Sequence, residues 1–384
     1  MIRRRQLLNL FLILCFLGTF LGGCFSLPTG GIYEASDFES PSAQIGPGDP
    51  GTSLVTVRFL DVGQADAALI ECDGHYMLID GGNKDDSSLL YSTLRSHNIT
   101  HLDLVIGTHA DEDHIGGLSG ALYFAEADLV LCSTADYESD AFSDFKKYAD
   151  LRGGGIQIPQ VGDSYELGDA LVEILAVNSG TGSNDTSIVT KLTYGQTSFL
   201  FTGDAETDTE QFLLNSGVDL QTTVLKVSHH GSNDSSSEAF LQTTQPEYAI
   251  LSVGEANPYG HPDSQVLRRL EAVGSNIYRT DHHGTITCYS DGSTVTIATE
   301  YSSLSGTTVS GSRTDTIADA DRTLPSHTAG SADFNYILNI RSKKFHKPSC
   351  ESVSKMSDQN RLEFAGSREE VLALDYSPCG SCKP

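Results

Sequence analysis

Short apolar runs, alternating with polar residues or bounded by Gly, Asp and Asn, repeat from residue 53 to residue 300. The period-2 stretches predict strands over Ser53–Leu60, Ala68–Cys72 and Tyr76–Ile79, with Asp73-Gly74 as the turn between the last two. Further strands are predicted over Leu102–Gly107, Gly153–Ile158, Tyr165–Leu167, Leu171–Leu175, Thr223–Val227, Tyr248–Val253, Asn276–Thr280, Thr285–Ser290 and Thr294–Thr299. Ser187–Thr193 and Thr197–Thr202 form a hairpin about Tyr194-Gly195. Helical spacing is found over Ser87–His97, Ala121–Leu129, Phe142–Leu151, Thr207–Asn215, Ser236–Thr244 and Gln265–Val273. Strands alternating with helices predict an α/β domain with its site at the strand ends.

The flanks break this pattern. Arg3-Arg4-Arg5, the apolar run Leu7–Leu21 and Leu21-Gly22-Gly23-Cys24 have the order of an export signal. The end resembles a bacterial lipobox, which makes 1–24 a lipoprotein signal peptide and Cys24 the lipidated residue. An apolar run of about 15 residues is short for a membrane span. An uncleaved anchor is the alternative, and both readings place the body outside the cytoplasm, on the outer face of the membrane or secreted. Residues 25–52 are rich in Gly, Pro, Ser and acids and read as a flexible tether. Residues 301–333, dominated by Ser, Thr, Gly, Ala and Asp, read as a linker to a small module at 334–384.

Composition changes the picture mainly through charge. The 384 residues carry a net −27. Residues 34–333 hold 13 Lys and Arg against 45 Asp and Glu, a net −32, while the last 51 hold 8 against 6, a net +2. Such a body repels polyanions at long range. A nucleic acid would have to be held by metal ions, by the basic tail or by local patches. Cys72, Cys132 and Cys288 are scattered in strand-like stretches and read as buried free thiols, with one disulfide as the alternative in an exported protein.

The chemistry sits where apolar strands end. Leu104–Gly107 runs into Thr108-His109-Ala110-Asp111-Glu112-Asp113-His114-Ile115-Gly116-Gly117, two histidines among carboxylates. Imidazole and carboxylate at this density suit a divalent cation, because both can be presented without a proton near neutral pH. The motif of strand, then His or Asp, then Gly recurs at Asp204, at His229-His230-Gly231 and at Tyr259-Gly260-His261-Pro262. A plain surface turn is the other reading of His229-His230-Gly231.

These stretches, with Phe59–Asp66 and Leu78–Gly82, resemble the metallo-β-lactamase fold, and within it the hydrolase domain of the ComEC competence family. The resemblance spans residues 53–300 in the family's order. It implies a four-layer αββα fold and a centre of two divalent ions, Zn or Mn, about 3.5–4 Å apart. His109 and Asp111 would serve one ion, Asp113 and His114 the other, and Asp204 both. His261 would complete the second site. The first ion's remaining ligand would fall at Ser183–Ser187, where Asp185 or Asn184 substitutes or the position stays open. Asp111 stands where the wider fold has His, a harder oxygen donor that suits Mn²⁺ or Mg²⁺ better than an all-His site. Asp113 would orient the water, and His229 or His230 would protonate the leaving group. Asp61, Asp66, Asp80 and Asn184 would support the ligands or line a substrate loop.

The tail has separate chemistry. His346, Cys350, Cys379 and Cys382 make a Cys3His set with a tight Cys-x-x-Cys knuckle, suited to one structural zinc, or alternatively to a disulfide. It resembles the zinc-binding domain of Ada-type DNA alkylation-response proteins and predicts a small α+β module stapled by metal. The function these readings imply is an extracellular metal-dependent hydrolase, a nuclease or phosphodiesterase acting on DNA. The alternatives are a hydrolase of a small phosphodiester, lactone or thioester, and a non-catalytic surface DNA-binding protein. No protein partner can be inferred.

Overall fold

Period-2 alternation sorts each strand's side chains onto two faces, and in the central strands both faces are apolar. Ala68, Ile70 and Cys72 face one core while Leu69 faces another; Leu104 and Ile106 join the first core while Val105 joins the second. A sheet that is apolar on both sides must be covered on both. The computed structural model, which describes residues 54–301, 336–339, 342–356, 361–364, 368–373 and 376–384, shows how this is done.

An eight-stranded sheet runs in the order Val295–Thr299, Ile286–Ser290, Val55–Phe59, Ala68–Cys72, His75–Ile79, Leu104–Gly107, Val130–Cys132, Ile156–Gln157. A seven-stranded sheet runs Asn276–Arg279, Tyr248–Leu251, Val224–Lys226, Thr197–Phe201, Val189–Tyr194, Ala170–Ala176, Ser164–Leu167. Their facing sides share one core, in which Phe59 meets Phe201 at 5.9 Å between ring centroids. Helices Ser87–Ser96, Leu118–Phe124 and Asp140–Arg152 cover the first sheet through Leu90, Leu94, Leu122, Phe142 and Phe145. Helices Thr207–Ser216, Glu238–Thr244 and Ser264–Ala272 cover the second through Leu213, Phe240, Leu241, Val266 and Leu270. This is the expected αββα stack. Helix starts are set locally: Ser139, Ser237 and Asp263 accept hydrogen bonds from Phe142, Phe240 and Gln265 N–H groups.

Parallel pairing positions the site. Leu104–Gly107 lies parallel to both its neighbours, and Thr197–Phe201, Val224–Lys226 and Tyr248–Leu251 run parallel in the other sheet. Their C-terminal ends therefore deliver the loops after Gly107, Phe201, Lys226 and Leu251 to one edge of the stack.

Two expectations change. The helix expected over Ala121–Leu129 runs over Leu118–Phe124, and Glu126–Ala127 pairs instead with His101–Leu102. The strand expected over Gly153–Ile158 shrinks to Ile156–Gln157, because Gly154 and Gly155 adopt positive φ and finish the preceding helix turn.

The tail forms a four-stranded sheet, in the order Arg361–Phe364, Tyr336–Asn339, Lys344–His346, Ser377–Pro378, with helix Arg368–Ala373. Its core of Leu338, Phe345, Phe364, Val371 and Tyr376 closes over Tyr91 of helix Ser87–Ser96. Phe364 stacks on Tyr91 at 5.3 Å, and the Tyr376 and Ser88 hydroxyls are 2.8 Å apart. The expected signal peptide with Cys24, the tether, and the linker beyond Tyr301 lie outside the described residues. Among the described residues no helix is long and apolar enough to cross a membrane.

Candidate metal centre

Four ligand-bearing side chains from three segments converge at the strand edge. Asp113, His114, Asp204 and His230 each bring a donor atom within 4.8 Å of the others. His114 Nε2 lies 3.1 Å from Asp204 Oδ1, and His230 Nε2 lies 3.3 Å from Asp113 Oδ2. His109 is beside them, its ring 4.2 Å from that of His114, with Nε2 3.5 Å from Asp111 Oδ2.

Each buried histidine is fixed through Nδ1. His114 Nδ1 donates to Asp80 Oδ2 at 2.8 Å, and His230 Nδ1 donates to the Ser252 carbonyl at 2.9 Å with Asp66 Oδ1 at 3.2 Å. His109 Nδ1 faces the hydroxyls of Thr108 and Ser187 at 3.3 and 3.4 Å. This leaves His109, His114 and His230 Nε2 buried without a hydrogen bond, together with Asp204 Oδ1. Buried polar atoms are rarely left in that state. Three bare imidazole nitrogens aimed at carboxylates are what a cation would satisfy, so the residues present fit a divalent metal.

The electrostatics agree. Burial would raise Asp204, but His114 and then His230 hold it well below the usual carboxylate range. Burial would lower His230, but Asp204, Asp66 and Asp113 push it up to about 10. His114 is raised by Asp204 and Asp80 against its burial. Burial opposes the lowering of Asp113, which His230 and His114 carry, and the His109 ring 3.5 Å away lowers Asp111. The carboxylates stay ionised and the pocket recruits positive charge, from protons or from a metal.

The backbone supports this arrangement. Asp80, at φ 57°, accepts from Thr108 N–H at 2.7 Å and from its hydroxyl at 2.9 Å, bracing the strand end that carries His109. Gly81 abuts Leu118, where an added Cβ would stand 2.6 Å from the Leu118 nitrogen, so the two loops can meet only without side chains. His229 and His230 have φ of 48° and 51°, a left-handed pair that costs on the order of 1–3 kcal/mol each and turns both rings toward the centre.

Several residues fall elsewhere than expected. His230, rather than His261, lies in the cluster with Asp113, His114 and Asp204. His261 instead stands at the rim, 5.6 Å from the His229 ring and within 3.5 Å of Gln64 Nε2, with burial and the neighbouring His229 lowering its pKa. Asp185 does not join the cluster: its Oδ1 accepts from Glu206 and Thr209 N–H and caps helix Thr207–Ser216. Asn184 donates to Glu206 at 2.8 Å, and Glu206 lies 3.3 Å from His229 Nδ1. His229 Nε2 is 3.6 Å from Asp204. Asp66 and Asp80 stand behind the ligands; Asp61, by contrast, is raised by burial and its amide is held by Thr285.

Sequence reasoning missed four partners. Lys226 is buried and pairs with Asp66 at 2.7 Å, fixing the carboxylate that holds His230. A lysine inside the apolar strand Val224–Lys226 was the available signal. Glu206 and Ser187 carried none beyond nearness to Asp204. Tyr137, which donates to Asp111 at 3.4 Å, comes from a remote loop.

The tail gathers a second cluster. His346, Cys350, Cys379 and Cys382 bring donor atoms within 4.8 Å of one another, the three cysteines are free, and His346 Nδ1 is buried without a partner. Backbone N–H of Cys382 lowers the Cys379 thiol to about 7.

The model of the metallo-beta-lactamase superfamily matches residues 60–255. ComE operon protein 3 of Bacillus subtilis is similar at 31% identity over 252 residues, 60% of this chain and 32% of its own length. Competence protein ComA of Neisseria gonorrhoeae is 28% identical over 232 residues, covering 60% and 31%. Recombination protein 2 of Haemophilus influenzae is 30% identical over 239 residues, covering 60% and 28%. The chain thus spans about a third of the length of these relatives.

Proposed function

This chain belongs to the metallo-beta-lactamase superfamily of metal-dependent hydrolases, and from that premise we propose that it is a phosphodiesterase that cleaves DNA outside the cytoplasm. The observation that carries the reading is the set of three bare buried Nε2 atoms, those of His114 and His230 at 3.1 and 3.8 Å from Asp204 and that of His109 facing Asp111 at 3.5 Å. His109, Asp111 and Asp204 would hold one ion, and Asp113, His114, His230 and Asp204 the other. Bound there, two ions, Zn or Mn, would supply a water of lowered pKa and charge stabilisation at a phosphoryl oxygen. Asp113, partly exposed, orients the attacking water and takes its proton. His229, with Glu206 3.3 Å from its Nδ1, presents Nε2 at the mouth to protonate the leaving oxygen. Asp66 and Asp80 hold the ligand tautomers.

His346, Cys350, Cys379 and Cys382 hold one structural zinc in this reading, because a closed Cys3His set leaves no open position for substrate. Lipidation at Cys24 tethers the enzyme to the outer face of the membrane. The competence-protein relatives, as named, support DNA as the substrate. A second reading, hydrolysis of a small phosphodiester, lactone or thioester, is favoured by the net −32 of residues 34–333. Incubating the metal-loaded protein with single- and double-stranded DNA, a small phosphodiester and a lactone decides between them. DNA left intact beside a cleaved lactone would refute the nuclease.

A further inference from the structure

Positive charge is scarce in this chain, and part of it lies on two helices that cover the first sheet. Of the 13 Lys and Arg in residues 34–333, Lys84, Arg95, Lys146, Lys147 and Arg152 lie on helices Ser87–Ser96 and Asp140–Arg152 or in the turn beside them. The first of these helices is the one on which the tail docks. Where the two meet, a hollow of about 320 Å³ is lined by Lys84, Lys147, Lys343, Tyr123 and Tyr148, with Asp85 and Asp144 also in its wall.

We propose that this seam holds a single nucleic-acid strand, with phosphates on Lys84, Lys147 and Lys343 and a base against Tyr123 or Tyr148. The inference rests on the phosphodiesterase reading and explains how an acidic body retains a polyanion. Lys147 Nζ sits 4.7 Å from the Tyr148 ring centroid, so an ammonium and an aromatic face are offered together. Cationic grooves with stacking rings are the common solution for single strands. Lys84 Nζ pairs with Asp144 at 2.7 Å, but both side chains are about two-fifths exposed, and such a pair yields readily to a phosphate. Lys343 donates to the Asp85 carbonyl at 2.6 Å and lies 4.9 Å from the Tyr376 ring centroid, so the docked tail fixes the third cation. The hollow also abuts the metal centre's loop: the Ser87 and Ser119 hydroxyls, both in its wall, reach the Gly116 carbonyl, two residues after His114. The aromatic rings that stand beside the lysines favour a base-bearing strand over a bilayer.

The test is fluorescence anisotropy of a labelled phosphorothioate 20-mer, which resists cleavage, titrated with the full chain across a salt series. Lys84→Glu/Lys147→Glu should weaken binding about tenfold or more and flatten the log–log salt slope by about 1.4, two phosphate contacts at about 0.7 each. Lys84→Arg/Lys147→Arg should bind like the wild type. Thermal melting and hydrolysis of bis(p-nitrophenyl) phosphate, unchanged in both variants, exclude a folding defect. Unchanged affinity and slope in the Glu variant would overturn the proposal. So would binding of phosphatidylglycerol vesicles, through these lysines, by a protein that ignores the oligonucleotide. If the wild type hydrolyses no phosphodiester yet binds the strand through the seam, the enzymatic reading fails and the seam stands.

Discussion

The two ligand clusters of this molecule differ in donors, openness and support. The hydrolase cluster mixes imidazole with carboxylate, is assembled from parallel strand ends far apart in sequence, and leaves Asp111 and Asp113 partly exposed. The tail cluster is three thiols and one imidazole, closed by a tight knuckle. Hard donors with an open side suit catalysis, and soft tetrahedral donors suit a staple. The supporting groups differ too. Behind the first cluster stand Asp66, Asp80, Ser252 and Lys226, each fixing a ligand's tautomer or charge. Behind the second the support comes from main chain, the Lys347 N–H reaching Cys382 Sγ at 3.4 Å. A cluster built for chemistry is braced from behind, whereas one built for stability braces the chain around it.

The comparison can be broken most severely at Asp204. Asp204→Asn should lower phosphodiester turnover by about 10³-fold or more, since the ions' charge stabilisation is worth several kcal/mol. Native mass spectrometry should show the tail's ion retained. Conversely, Cys379→Ser should unfold the tail, because structural zinc binding is folding free energy. Limited proteolysis should then cut after residue 301 while leaving the hydrolase domain intact.

Removing support rather than a ligand is a finer probe. Asp80→Asn should cost about 10–100-fold in metal affinity or activity, measured by chelator competition. Lys226→Met strands a buried carboxylate and should cost about 3–5 kcal/mol in denaturant unfolding.

Proton linkage comes next. In the metal-free protein His230 is raised to about 10, so its contribution to stability is full below its ordinary 6.5 and is lost as pH rises toward 10. A metal must displace that proton, so affinity should rise with pH across this window. Calorimetry in buffers of different ionisation enthalpy should record proton release on loading at pH 7–8. The smallest effect is expected beside the tail. Burial raises Asp86 to about 7, so its cost to stability is absent below the ordinary carboxylate range, grows between there and pH 7, and is full above it. Asp86→Asn, which can still accept from Asn83 N–H, should raise the melting temperature at pH 8 and change it little at pH 4.

Period-2 alternation made the double-sided sheets legible, and the carboxylate–histidine run after Gly107 marked the centre. What could not be read depends on which strand ends where. His230 and His261 both follow strands and precede or flank glycines, and only the register of Val224–Lys226 against Thr197–Phe201 brings His230 to Asp204. Asp185 has a ligand's residue type, yet its nearest unsatisfied donors are the N–H groups of a helix start. The docking of the tail depends on Tyr91 and Ser88, in a helix whose buried Leu90 and Leu94 serve the main core.

The most direct test is metal stoichiometry with activity on one sample. Native mass spectrometry of full-length protein should find three divalent ions per chain, the one held by His114 lost in His114→Ala together with phosphodiester hydrolysis, and the tail's ion lost in Cys379→Ser. A single ion, unaffected by His114→Ala and carried by the tail alone, would contradict the account.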